Sequence, residues 1–213
     1  MDFDEFADRL SKIKNLPLPG APSHYKMAPE VRVKELQTYF KQKKDARKAA
    51  VMALFYPDTQ HLTRFLLILR KKYPGVHSGQ VGFPGGRLEP EDRNLLQTAL
   101  RETEEEVGTP GRNIEVIRPV SELYIPPSNF QVQPYLGILT QTPEFTKQAS
   151  EVEELLEVPL SEFMDDGNII AIRKTTSYAR DIEVPAYFLG GYHVWGATAM
   201  MLSEIRELFR KIL

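Results

Sequence analysis

The sequence predicts an α/β (α+β) fold in which a mixed β-sheet lies between helices, with a helical extension at the N-terminus. Three observations predict it. Apolar, partly β-branched runs of strand length stand on both sides of one strongly periodic helix over about residues 93–107. A second amphipathic helix ends the chain, and strands alternating with helices in this way pack as layers. The opening residues show no strand pattern but two amphipathic helical stretches. The expected division is therefore a helical extension over 1–48 and a main domain over 49–213.

The helix in the extension runs from Asp4 to Lys14, with Phe6, Leu10 and Ile13 at helical spacing. LPLPGAPSHYKMAP interrupts it with prolines and a glycine. A second helix, from about Pro29 to Lys44, sets Val33, Leu36, Tyr39 and Phe40 on one face. Its end, with Lys41, Lys43 and Lys44, suits a helix C-terminus and reads as a solvated face rather than a nucleic-acid patch. AAVMALFYP and RFLLILRKK are the first two strands, and VHSGQVGFP is a third extended piece leading to Gly85-Gly86. The central helix spans roughly Arg93 to Val107, with Leu96, Leu100, Thr103 and Val107 as its buried stripe. Gly108 and Pro110 stop it. Strands follow at about Ile114 to Ile125 and Val132 to Leu139. The acidic stretch EVEELLEVPL reads as a short helix, NIIAIRKT and DIEVPAYFL as a late hairpin, and Gly196 to Ile212 as the closing helix.

Composition sets bounds on function. The chain has 213 residues, enough for a proper core. Its 27 basic and 29 acidic residues give a formal charge of −2, so a nucleic-acid partner is not expected. The absence of cysteine excludes disulfides, thiolate metal sites and a cysteine nucleophile. No apolar run approaches membrane-spanning length, so no membrane partner is expected. MDFDEFADRLSKIKNL is acidic at its start and lacks an apolar signal region, which makes a cytoplasmic protein the expectation.

The chemistry concentrates in the central helix. Glu102, Glu105 and Glu106 stand at i, i+3 and i+4, so their carboxylates share one face. Three crowded anions repel one another unless a cation joins them, and hard divalent ions prefer carboxylate oxygens together with substrate phosphates. The segment therefore points to metal-assisted chemistry on a phosphate ester or anhydride. His77 stands near Gly79, Gln80 and the glycine pair, which favours a place in the site. His24, His61 and His193 have no such company and read as structural, and Trp195 reads as a core anchor.

GG-RLEPED-RNLLQTAL-RETEEEVG resembles the Nudix box, the motif of hydrolases that cleave nucleoside diphosphates linked to another moiety. Arg101, Glu102, Glu105, Glu106 and Gly108 match its second half. The first half departs: one extra residue separates Gly86 from Arg101, Arg93 falls where a glutamate is expected, and Asp92 or Glu89 is left to supply that acid. Thr109 replaces the usual aliphatic residue. The spacing resembles the coenzyme A pyrophosphatase (CoA diphosphatase) branch. So do Leu66, Leu67, Arg70, His77, Gly79, Gln80, Val81, Phe83, Pro84, Gly85 and Gly86 upstream, and SNFQVQPYLG, EVEELLEVPL and YHVWGATAMML downstream. The resemblance runs from about Val51 to Leu202.

It implies a Nudix-type α/β/α sandwich and a metal-dependent diphosphatase using Mg²⁺ or Mn²⁺. Glu102, Glu105 and Glu106 would hold the metal, and Arg101 would orient a glutamate. Glu151 would be the further acid supplied by a distant loop, with Glu153 and Glu154 left open. Arg70, His77, Gln80, Gly85 and Gly86 would bind the substrate, with Arg70, Lys71, Lys72 or His77 facing a 3′-phosphate. The implied substrate is a small nucleotide-derived molecule, coenzyme A or acyl-CoA, cut to 4′-phosphopantetheine (or its acyl form) and adenosine 3′,5′-bisphosphate. Alternatives are ADP-ribose, a dinucleotide or another nucleoside diphosphate derivative, or a non-catalytic binding module. The extension is left free to cover the site, pack on the core or support a homodimer.

Overall fold

The computed structural model describes residues 1–39, 45–72, 74, 77–175 and 181–213, with the side chains of Glu35, Gln37, Thr38 and Tyr39 excepted. Phe40 and the lysines at 41, 43 and 44 therefore lie outside the described residues, as does the side chain of Tyr39.

The organising strand is β1 (Arg47–Pro57), in which every residue from Ala49 onward is buried. Strand side chains alternate between faces. Ala49, Val51, Ala53 and Phe55 enter one apolar cluster, and Ala50, Met52, Leu54 and Tyr56 enter another. β2 (Thr63–Arg70) divides in the same way, with Phe65 and Leu67 on one side and Leu66 and Ile68 on the other. A sheet buried on both faces is the middle layer of a three-layer sandwich.

The sheet has eight strands. These two are joined by β3 (Val81–Gly82), β4 (Gly85–Arg87), β5 (Glu115–Pro119), β6 (Leu123–Ile125), β7 (Phe130–Ile138) and β8 (Val152–Pro159). β1 runs parallel to β7, and the other pairings are antiparallel, so the sheet is mixed. β1 changes partner along its length: Phe55–Pro57 pair with β2, and Ala49–Val51 pair with β4. The site is built where this exchange brings the end of β2 beside the glycine pair.

One face of the sheet is covered by α4 (Leu95–Val107). The other carries α6 (Ala197–Phe209) and the N-terminal helix α1 (Phe3–Leu10). Asp2 caps α1 by accepting from the Asp4 and Glu5 amides at 3.0 and 3.2 Å. Phe6 then lies 5.4 Å from both Phe55 and Phe209, ring centre to ring centre. Burying one such ring contributes about 1.5–3 kcal/mol. α2 (Ala21–Tyr25) and α3 (Glu30–Tyr39) follow, and α2 rests on α6. After β8 come α5 (Leu160–Met164) and a separate antiparallel sheet of β9 (Ile169–Lys174), β10 (Ile182–Leu189) and β11 (Tyr192–Trp195).

Several sequence expectations are corrected. EVEELLEVPL is a strand, because β2 pairs with it from Arg64 to Arg70 and buries Val152, Leu156 and Val158 between exposed glutamates. The stretch after Val76 is a turn over 77–79, and only Val81–Gly82 is extended. The expected strand over 114–125 is interrupted, and the amide of Ser121 donates instead to Glu204 at 3.0 Å. The proline-rich linker contains α2. On α4 the buried stripe is Thr98, Ala99, Thr103, Glu106 and Val107, while Leu96 and Leu100 are partly covered.

Candidate active site

α4 starts and stops as its sequence dictates. Asn94 caps it through the Gln97 amide at 3.0 Å, and Gly108, at φ 74°, ends it in a left-handed conformation that glycine adopts without strain. The helix carries Arg101, Glu102, Glu105 and Glu106 to the point where β4 leaves β1.

The two glycines serve different purposes. Gly85, at φ 148°, lies so close to β1 that a Cβ would collide with the Ala50 carbonyl oxygen and the Val51 backbone. At Gly86 a Cβ would collide with the Glu102 carboxylate. The first glycine lets the strand approach, and the second makes room for an acid.

Each acid has a defined setting. Glu106 is buried, its side chain 2% exposed. It accepts from the Gly85 amide at 2.8 Å and from Arg70 Nη1 at 3.3 Å, and Arg70 Nη2 donates to the Gly85 carbonyl at 2.8 Å. Both Nη groups of Arg70 are thus turned to the glutamate and the glycine strand. Burial pushes the Glu106 carboxyl up to about 7, against the pull of Arg70 and the Gly85 amide and with the help of Glu102 and Glu151. Glu102 is 12% exposed and is also raised, first by burial, with Glu105 and Glu151 adding to it against Arg101. Glu105 is 54% exposed and points outward. The helical spacing therefore does not place the three carboxylates equivalently.

Arg101 joins this face together. Its Nη1 donates to Glu102 at 3.1 Å and to Glu105 at 2.9 Å, and its Nη2 reaches the Arg87 carbonyl at 3.2 Å. Its Nε and Nη2 grip both oxygens of Asp92 at 3.0 and 2.9 Å. Asp92 also accepts from Thr98 Oγ1 at 2.9 Å and from the Glu89 amide at 3.0 Å. The Arg101 hydrogen bonds hold its carboxyl down to about 2 against burial. Of the two acids the sequence left open, Asp92 holds Arg101. Glu89 contributes its amide, and its own carboxylate lies 3.6 Å from Arg87.

Glu151 is an exposed turn residue just before β8, beside the end of β2, where its carbonyl accepts the Lys71 amide at 2.9 Å. It lies close enough to Glu102 and Glu106 to raise both. Glu154 instead meets the Tyr192 hydroxyl. Glu153 is exposed and uses its carbonyl for Lys147. Lys71 is partly buried and Lys72 exposed.

His77 sits on a turn at φ 70°. Its Nδ1 meets Gln80 Oε1 at 3.1 Å, and its Nε2 meets Ser128 Oγ at 3.0 Å. Burial pushes its pKa down and the Arg70 charge adds to this, while Gln80 opposes. His77 and Gln80 border two adjoining cavities. One, of about 230 Å³, reaches Arg70, Gly85, Gly86 and Arg87. The other, of about 480 Å³, reaches Trp195 and the residues before α3. The carboxylates lie outside both linings and touch the smaller cavity through the glycine pair. Trp195 is half-buried at the larger cavity rather than anchored in the core. His24 is buried against Glu204, and His61 and His193 are exposed.

The donor set suits a hard divalent cation. Glu106 feels the charges of Glu102 and Glu151, and Glu102 feels those of Glu105 and Glu151, which an oxygen-seeking cation would offset. Among the described residues, the one trio of acidic and imidazole groups with ligand atoms within 4.8 Å of one another is Asp2, Asp4 and His61, exposed at the N-terminus. The α4 glutamates are more widely spaced, with Arg70 on Glu106 and Arg101 on Glu102 and Glu105.

Known proteins resemble this chain in both sequence and fold. The NUDIX domain pattern matches residues 46–177. A protein of Pectobacterium atrosepticum named uncharacterized Nudix hydrolase NudL is 36% identical over 171 residues, covering 75% of this chain and 81% of its own. A Yersinia enterocolitica protein of the same name is 34% identical, covering 67% and 72%. The crystal structure of the Nudix hydrolase RenU from M. smegmatis superposes with a TM-score of 0.54 at 18% identity, over 79% of this chain and 88% of that one. Among the described residues, no helix is long and apolar enough to cross a membrane. Nudix hydrolases generally use divalent metal ions. The domain match and the identity to relatives covered over most of their length make this chain a member of the Nudix family, a hydrolase acting on pyrophosphate bonds.

Proposed function

We propose that the chain hydrolyses the diphosphate of coenzyme A or an acyl-CoA. The observation that supports this most is the placement of Arg70, His77, Gln80 and the glycine pair, which carry the resemblance to the coenzyme A branch. Arg70 lies against Glu106, and His77 and Gln80 stand between two cavities next to the glycine pair. A substrate with two different organic arms on one diphosphate matches such a divided cleft.

Water adds its oxygen to one phosphorus while the bridging P–O bond breaks, giving two phosphate monoesters and releasing a proton. Glu102 and Glu106 would hold the divalent ion, Mg²⁺ or Mn²⁺, with Glu105 at the rim. That ion would neutralise the diphosphate and acidify a bound water. The protein's own groups supply the positioning. Arg101, braced by Asp92, fixes Glu102 and Glu105. Arg70 and the Gly85 amide fix Glu106. Glu105 is tied to Arg101 and Glu106 to the glycine strand, so Glu151 is the carboxylate we assign to accept the proton of the attacking water. The intact acids argue against a purely binding role.

The test is a hydrolysis panel of coenzyme A, an acyl-CoA, ADP-ribose, a dinucleotide and a nucleoside triphosphate, with Mg²⁺ or Mn²⁺. Coenzyme A or its thioester is expected to lead, and Glu106→Gln is expected to lower turnover by roughly a hundredfold or more. Rapid cleavage of ADP-ribose with none of coenzyme A overturns the substrate assignment. A fully active Glu106→Gln overturns the site assignment.

A further inference from the structure

The larger cavity has a wall that the matched domain does not contain. Met27, Ala28, Pro29 and Arg32 all line it, and all precede residue 46, where the family match begins. This wall is firmly built. His24 Nε2 meets Glu204 Oε2 at 3.0 Å, with both side chains almost fully buried. Glu204 also accepts from the Gly20 amide at 2.9 Å and from Ser121 Oγ at 2.6 Å. Burial opposes ionisation of Glu204, but the hydrogen bonds from His24 and Ser121 outweigh it and hold its carboxyl below the usual range. Ser203 Oγ adds a bond to the Ser23 carbonyl at 2.9 Å. The segment carrying Met27 is thereby fastened to α6, the helix that also supplies Met200 to the same cavity.

Both cavities are lined mainly by apolar groups, and they differ in charge. The smaller one is bordered by Arg70 and Arg87 and suits an anionic group. The larger one has Arg32 as its one lining residue with a fixed charge, and Arg32 is buried and already engaged within the protein. The rest of that wall is mainly apolar, with Met27 and Met200 buried and Trp195 half-buried. Methionine side chains are flexible and polarisable and adapt to chains of varied shape. His77, Gln80, Ile125 and Ala197 border both cavities, so the two meet.

We propose that the larger cavity receives the flexible, weakly polar arm of the substrate, the thioester end of an acyl-CoA, and that Met27 of the N-terminal segment sets the length of chain it accepts. This rests on the coenzyme A reading and deepens it. The N-terminal segment thus forms part of the substrate site and selects among substrates without touching the diphosphate. Where the wall is apolar, as at Met27 and Met200, it discriminates by fit, at about 10–200-fold per methylene gained or lost.

The experiment compares kcat/KM for coenzyme A, hexanoyl-CoA and decanoyl-CoA in the full chain and in Met27→Trp and Met27→Ala, with thermal melts as a folding control. Met27→Trp fills the cavity and is expected to lower the hexanoyl-CoA to coenzyme A ratio by about tenfold or more. Met27→Ala enlarges the cavity and is expected to raise the decanoyl-CoA to hexanoyl-CoA ratio, which gives an answer even if the tryptophan variant fails to fold. Unchanged ratios in every folded variant, with coenzyme A still cleaved, overturn the proposal and leave the coenzyme A reading standing. A wild type that cleaves none of the three substrates overturns that reading and the proposal with it.

Discussion

Asp92 carries a structural role that its neighbours in the sequence conceal. Its two oxygens take a two-pronged grip from Arg101, and the same guanidinium then reaches Glu102 and Glu105. Neutralising Asp92 therefore loosens the brace behind two acids at once. Its carboxyl is held at about 2, below the usual 3.8, so the stabilisation is present above about pH 4 and is lost as pH falls toward 2. Asp92→Asn is expected to cost about 2–3 kcal/mol near neutrality, since hydrogen bonds to charged groups contribute about 1.5–3 kcal/mol. Denaturant melts from pH 2 to pH 7 check this: the wild type should lose its advantage over the variant at the acid end, and a constant gap would refute it. At this scale much of the site was legible. The glutamate face was read from spacing, while the roles of Arg101, of an acid at 89 or 92 and of Glu151 were what the family resemblance implied. The partner of Arg70 was not legible, because Glu106 lies 36 residues away and only the sheet brings the two together. Equal roles for the three glutamates were also misleading, since helix periodicity fixes direction but not which residue the neighbouring strand covers.

At the scale of elements, the glycine strand β4 makes two demands that substitution can separate. An alanine methyl at Gly85 meets fixed backbone at Ala50 and Val51, and the residue's φ of 148° is strained for any side chain. Gly85→Ala is expected to destabilise the fold by about 1–3 kcal/mol or more, which a melt will reveal. At Gly86 the methyl meets the end of the Glu102 side chain, which can swing away. Gly86→Ala is expected to melt near the wild type yet lose most of its activity, because the displaced carboxylate leaves the site. Equal effects of the two variants on stability and turnover would contradict this division. The long apolar strands and the central helix were legible because each has one clear period. EVEELLEVPL has none: its leucines suit a helix as well as a strand, and the free edge of β2 decides the matter. The turn at 77–79 was equally hidden, since it depends on positive φ at His77 and Gly79.

For the whole molecule, the core and the carboxylate site pull in opposite directions. The apolar layers on both faces of β1 stabilise the fold, and the same burial withholds water from Glu106. A glutamate raised from 4.5 to about 7 penalises folding once it ionises. Below about pH 4.5 the group is protonated in both the folded and unfolded states, and no penalty exists. Between pH 4.5 and 7 the unfolded chain releases the proton first, so stability falls as pH rises. Above pH 7 the full cost applies, on the order of 3 kcal/mol. A divalent ion bound by the cluster should cancel this cost, and by mass action should add about 2.7 kcal/mol at a hundredfold excess over Kd. In chelator, the wild type is therefore expected to lose stability from pH 4.5 to 7 and to regain it on adding Mg²⁺ or Mn²⁺. Glu106→Gln in chelator should lack that slope and gain little from the ion. Calorimetric melts across the range test both statements, and an ion-independent slope shared by both proteins would remove Glu106 from the metal site.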